Sequence, residues 1–142
     1  MASIGICALC GLSKTLQKSH ILPEFLYDEI YDAPHRYVVQ STVPSVPAHR
    51  CQKGIYERLL CRDCDQHRLG RLDDYAARVF KGGVELQMTD RADRLIIGNL
   101  SYKTFKLWQM SLLWRCGVSK RVEFKATRLG PHTEMLRTML FE

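Results

Sequence analysis

The sequence predicts an α+β fold in two parts, a strand-rich half over residues 1–82 and a mixed, mainly helical extension over 83–142 packed on it. Three observations predict it. Cys7-Ala8-Leu9-Cys10 and Cys61-Arg62-Asp63-Cys64 are two Cys-x-x-Cys pairs. That spacing turns both sulfurs of a pair toward one point, and four such thiolates are the ligand set of a structural zinc ion. Short apolar and aromatic runs of strand length lie around and between the pairs. Beyond them, Ser101 to Cys116 is apolar over most of a helical circumference, the pattern of a helix that needs cover on several sides.

The elements follow in order. Gly11 stands after Cys10 where a knuckle needs a permissive residue. Lys14 to Lys18 reads as a polar connection that returns His20 to the metal half. Pro23 suits a first helical turn, and Phe25, Leu26, Tyr27, Ile30 and Tyr31 extend a helix to Asp32. Ala33-Pro34 ends it. Arg36 to Val43 reads as a strand, Pro44 to Pro47 as a loop, and Gly54 as the turn before the strand that carries Leu59-Leu60 into the second knuckle. A helix is expected from Asp65 to about Phe80, with Leu69, Leu72, Tyr75, Ala76, Val79 and Phe80 on one face and Gly82-Gly83 stopping it. Val84 to Met88 and Leu95 to Ile97 are short strands about a Thr89-to-Arg94 turn. After the apolar helix, Val118 to Arg128 is irregular or strand, and Gly130-Pro131 opens a last helix over Thr133 to Leu140.

Composition narrows the function classes. The first residues lack the basic start of a secretory signal, and no apolar stretch is long enough to span a membrane. The expected compartment is the cytoplasm, where six cysteines favour metal over disulfides. Cys51 and Cys116 are left over and read as packing residues. The net charge of +6 lies mostly in the second half: 7 Lys/Arg against 6 Asp/Glu in residues 1–64, but 14 against 9 in 65–142. Such a surface is compatible with nucleic acid.

Knuckle, irregular hairpin and a second knuckle at a helix start is the order of a treble-clef zinc site. With Ser19-His20-Ile21-Leu22-Pro23 between the knuckles, residues 7 to 80 resemble the HNH nuclease superfamily. There an Asp-His-Ile-x-Pro-like segment follows a Cys-x-x-Cys-Gly knuckle, and a second Cys-x-x-Cys opens the metal-site helix. Gly54-Ile55-Tyr56 and Asp73-Asp74-Tyr75-Ala76 are also similar to segments of small bacterial HNH-like proteins. The resemblance implies an endonuclease that hydrolyses phosphodiester bonds in DNA, with His20 taking a proton from the attacking water and a divalent ion, Mg or Mn, beside it. The chain departs from the superfamily at Ser19, where an Asp is usual, and at Asp65, where an Asn or His follows the knuckle. Asp65 can supply the missing oxygen or serve as an acidic residue at a helix N-terminus. His67 points to another part of the helix, and Asp73 and Asp74, more than two turns beyond Cys64, read as solvated or structural unless the helix packs back on the site.

Lys14, Lys18, Arg62, Arg68 and Arg71 surround the knuckles in sequence and are candidate phosphate contacts, or a solvated basic face. Trp108 and Trp114 read as core rather than as base-stacking residues. Three functions remain open: the nuclease, a catalytically inactive treble-clef zinc module that binds nucleic acid or a protein partner, and an interaction protein associating through the 101–116 helix, whose excess of apolar surface predicts a homodimer.

Overall fold

The computed structural model describes residues 3–42 and 44–142. The chain is α+β, with three small antiparallel sheets and a helical C-terminal part. The first sheet has the order β1 (Ser3–Ile6), β2 (Ser13–His20), β5 (Tyr56–Cys61). β1 and β2 form a hairpin whose connection is the first knuckle. Cys7 N–H donates to Leu12 O and Gly11 N–H to Cys7 O, and Gly11 takes the left-handed φ of 73° that closes the turn.

Lys14 to Lys18 is therefore not a connection but the centre of β2. Its side chains are polar except Leu16, the one residue of that run turned into the core, so its composition hides the strand. β2 pairs with β5 from Leu16↔Cys61 to His20↔Tyr56, and the register slips by one between Leu16 and Lys18. Such a bulge bends the ladder and re-aims the residues beyond it, here Ser19 and His20.

The helix expected from Pro23 to Asp32 is a single 3-10 turn, Glu24–Leu26, followed by turns. Its aromatic residues serve two clusters instead of one face. Phe25 packs with Phe80 and Trp108, whereas Tyr27 and Tyr31 stack on each other and against Tyr37. β3 (Arg36–Val39) pairs with β4 (His49–Gln52). The strand thus ends short of the expected Val43, which lies outside the described residues.

After Cys61 a wide, π-type helical segment, Asp63–Leu69, runs directly into α1 (Gly70–Phe80). Lys81 and Gly82, at φ 76°, end it at the expected place. β6 (Gln87–Arg91) and β7 (Arg94–Gly98) form a hairpin with a two-residue turn, narrower than the turn expected. α2 (Tyr102–Val118), an irregular stretch containing a 3-10 turn at Val122–Phe124, and α3 (His132–Phe141) complete the chain.

The core joins both parts. Cys7, Leu9, Leu16, Ile21, Leu59, Leu60, Cys61, Cys64 and Leu69 are buried together with Trp114 of α2 and Leu136 and Leu140 of α3. Arg137 of α3 also donates to Leu9 O, inside the first knuckle, at 2.7 Å. α2 packs on α1 and α3, and its exposed residues are Tyr102, Lys103, Lys106, Gln109 and Leu113. Trp108 and Trp114 are buried within the chain, while Tyr102 and Leu113 stay exposed, at 71% and 49%.

Candidate metal centre and the cleft beside it

The hairpin turn and the start of the helix bring four sulfurs together. The Sγ atoms of Cys7, Cys10, Cys61 and Cys64 all lie within 4.8 Å of one another. A tetrahedral site with Zn–S bonds of about 2.3 Å needs sulfurs about 3.8 Å apart, and Cys10 and Cys61 stand at 3.9 Å. Cys61 N–H points to Cys7 Sγ at 3.3 Å, a contact that favours a thiolate.

The electrostatics agree with the geometry. Burial opposes ionisation of Cys7, yet the backbone N–H groups of Cys10, Cys61 and Leu9 outweigh it and bring the thiol down to about 7. Burial pushes Cys61 and Cys64 up, and the Cys7 sulfur adds to both rises. Four sulfurs so close can all be thiolates only around a cation, and the cluster can hold a metal ion such as zinc. Cys51, on β4, and Cys116, on α2, are half-buried and stand outside the cluster.

His20 ends β2, and Asp65 lies one residue beyond Cys64 in the π-type segment. Both line one open cleft of about 450 Å³, with Glu24, Asp73, Asp74 and Arg115 among its other walls. His20 Nε2 lies 2.8 Å from Glu24 Oε2, although the N–H is not aligned for a full hydrogen bond. Glu24 Oε1 accepts from Tyr31 Oη at 2.7 Å, and Tyr31 Oη accepts from Gly54 N–H at 2.9 Å. Gly54 has φ 42°, and a Cβ there would meet His20 Cδ2 and Glu24 Oε2 at 3.2 Å. The Nε2–Cδ2 edge of the imidazole is thus held against Glu24 and Gly54, which leaves Nδ1 as its unengaged nitrogen.

Burial raises the Asp65 carboxyl above the usual carboxylate range, with Ser19, Arg115 and His20 acting in the opposite direction. Ser19 is buried. Its hydroxyl faces Asp65 without a well-aligned hydrogen bond and is not part of the cleft lining.

Sequence reasoning missed Arg115, the partner that gives Asp73 its structural role. Arg115 is buried on α2. It makes a two-pronged ion pair with Asp73, 2.9 and 2.7 Å, and also donates to Ser111 Oγ at 3.1 Å and His20 O at 3.4 Å. The π-type segment explains Asp73. Gly70 N–H donates to Asp65 O, five residues back, so the wide turn absorbs one residue. In a regular α-helix Asp73 would stand about 80° round from Asp65; one absorbed residue returns it to the same face. An arginine within an apolar helix, four residues after Ser111, was the only available signal for Arg115.

The five basic candidates separate. Lys18 lines a second cleft with His20 and a third with Asp65. Lys14 pairs with Asp63 at 3.2 Å, and Arg62 donates to Gln66 at 3.1 Å. Arg68 stacks on Phe141 and donates to its carbonyl, while Arg71 shares a hollow with Arg68 and Glu142. None of these four lines the His20 clefts. His67 is exposed and does not line the cleft either.

In comparison with known proteins, no family model matches the chain, and no curated protein or solved structure matches it significantly. No helix among the described residues is long and apolar enough to cross a membrane.

Proposed function

We propose that the protein is a metal-dependent phosphodiester hydrolase acting on nucleic acid, built on a treble-clef zinc centre of HNH type. One observation carries the reading: His20, at the end of β2, and Asp65, next to Cys64, line the same cleft, and the cysteine cluster ties both segments to one point. The order knuckle, antiparallel pair, knuckle, helix is the treble-clef order, and the zinc in it is closed by four sulfurs and structural.

In this mechanism Glu24 fixes the ring of His20, and Nδ1 takes the proton of a water in the cleft. The water oxygen attacks phosphorus, the bond to the leaving oxygen breaks, and that oxygen takes a proton from solvent. A divalent ion, when bound, would stabilise the charge that develops on the phosphate. Only the cysteines bring three or more ligand atoms together among the described residues, so Asp65 would share such an ion with phosphate oxygens, as suits Mg²⁺, which needs only one or two carboxylates. Asp73 is engaged by Arg115 and is not assigned to the ion.

Ser19 favours a second reading. Its side chain is buried against Asp65, so the position where the HNH superfamily commonly has an Asp offers the cleft no ligand. The protein would then be a zinc module that binds nucleic acid or a protein partner without cleaving. Incubation of the zinc-loaded protein with DNA and RNA, with and without Mg or Mn, separates the two. Metal-dependent cleavage that vanishes with His20→Ala establishes the hydrolase; no cleavage under any of these conditions leaves the binding module.

A further inference from the structure

On the other side of the His20–Glu24 pair lies the second cleft, about 490 Å³, with Lys18, Gln52, Lys53, His35 and Tyr56 as its remaining walls. Its size suits a single small-molecule-sized group, and three features give it a chemical character. Lys18 and Lys53 enter no ion pair among the described residues, so two cations are available to an anion. Tyr56, the first residue of β5, keeps 40% of its surface exposed, with Lys18 Nζ 5.2 Å from its ring centre. The non-glycine residues with positive φ in the described chain are His35, Lys53 and Asn99, at 58°, 63° and 60°, and two of these three border this cleft. Holding such backbone costs free energy that the surrounding structure must offset, and strain of this kind gathers at binding sites.

A part-exposed aromatic ring, which Lys18 now covers and a base would take over as the ammonium turns to a phosphate, two ammonium groups outside any ion pair and the amide of Gln52 match the parts of a nucleotide: a base that stacks, phosphates that need cations, and a base edge that needs a donor and an acceptor. We propose that this cleft is a nucleotide subsite, in which an unstacked base lies on Tyr56 and its phosphates meet Lys18 and Lys53. Within a duplex the faces of a base are already covered by its neighbours. The site therefore selects single-stranded nucleic acid and delivers the next phosphate across the shared wall to His20. The proposal rests on the hydrolase reading for that last step but not for binding.

The test is binding of a labelled single-stranded oligonucleotide and of its duplex, followed by fluorescence anisotropy over a range of salt concentrations. All proteins keep His20, which walls the cleft, and are assayed without added Mg or Mn so that nothing is cleaved; each is checked for bound zinc. The single strand is expected to bind more tightly than the duplex. Tyr56→Leu should weaken single-strand binding about tenfold, the scale of one lost stacking contact, while Tyr56→Phe keeps it. Lys53→Asn, which suits the left-handed backbone, should weaken it several-fold and reduce the slope of log affinity on log salt by about 0.7, one phosphate contact on a single strand. Equal affinity for strand and duplex, or unchanged single-strand affinity in Tyr56→Leu, overturns the subsite. The two readings fail separately. Binding as expected with no cleavage by the unsubstituted protein removes the hydrolase and keeps the subsite; cleavage with binding indifferent to Tyr56 and Lys53 does the reverse.

Discussion

Asp73→Ala and Arg115→Met break the same ion pair and should differ in cost, because they leave different residues behind. The Arg115 side chain is 3% exposed and the Asp73 side chain 21%. Removing one partner of a buried pair costs about 3–5 kcal/mol, chiefly through the charge left without compensation. After Asp73→Ala that charge is a guanidinium sealed in the core, which cannot lose its proton and keeps only Ser111 and the His20 carbonyl as acceptors. The expected loss is about 4 kcal/mol. After Arg115→Met the charge is a carboxylate at the cleft wall, where water reaches it, and methionine fills most of the vacated volume. That loss should be about 2 kcal/mol. Urea unfolding followed by the fluorescence of Trp108 and Trp114, with zinc saturating, measures both midpoints. The double variant Asp73→Leu/Arg115→Met, with no charge left, should lie closer to the unsubstituted protein than Asp73→Ala does. An Arg115→Met loss equal to or larger than that of Asp73→Ala refutes the reasoning, as would losses under about 0.5 kcal/mol for both, the range of ordinary surface substitutions.

Elemental analysis of protein purified without chelator should give one zinc per chain. Cys7→Ser, Cys10→Ser, Cys61→Ser or Cys64→Ser should each lose it together with the fold of the knuckles, whereas Cys116→Ser should retain it. Asp65→Asn keeps the size of the side chain and should remove metal-dependent cleavage while zinc content and the unfolding midpoint stay within error; retained cleavage would exclude Asp65 as a ligand. Gly54→Ala places a methyl group against His20 and Glu24 in a left-handed backbone. It should cost about 1–2 kcal/mol and, in protein still folded at the assay temperature, reduce cleavage by more than that loss of stability explains.

Short-range chemistry is what the sequence determined on its own. Two Cys-x-x-Cys pairs, the glycine after the first and the Leu59-Leu60 strand into the second are readable because each depends on residues a few positions apart. The limits of the Asp65-to-Phe80 and Ser101-to-Cys116 helices also came through within two residues, since an apolar face and a glycine stop are local signals. In the sequence His20 and Asp65 stand as separate candidates beside the two knuckles; that they line one cleft is visible in the structure.

Tertiary structure decided the remainder. β2 is polar in sequence and becomes a strand because β1 and β5 flank it on both sides. The segment after Pro23 has a helical composition, yet its aromatic rings are drawn into two clusters that no single helix face can reach. Asp73 joins the cleft through one residue absorbed in a π-type turn, a change of phase that no side-chain pattern announces. Arg115 reaches Asp73 across 42 residues of sequence and the His20 carbonyl across 95. Arg68, a neighbour of the second knuckle in sequence, is held instead by the far end of α3. A charge in the chain reads the same whether it will be solvated, paired or buried; the partner that distinguishes these fates arrives only when distant elements pack.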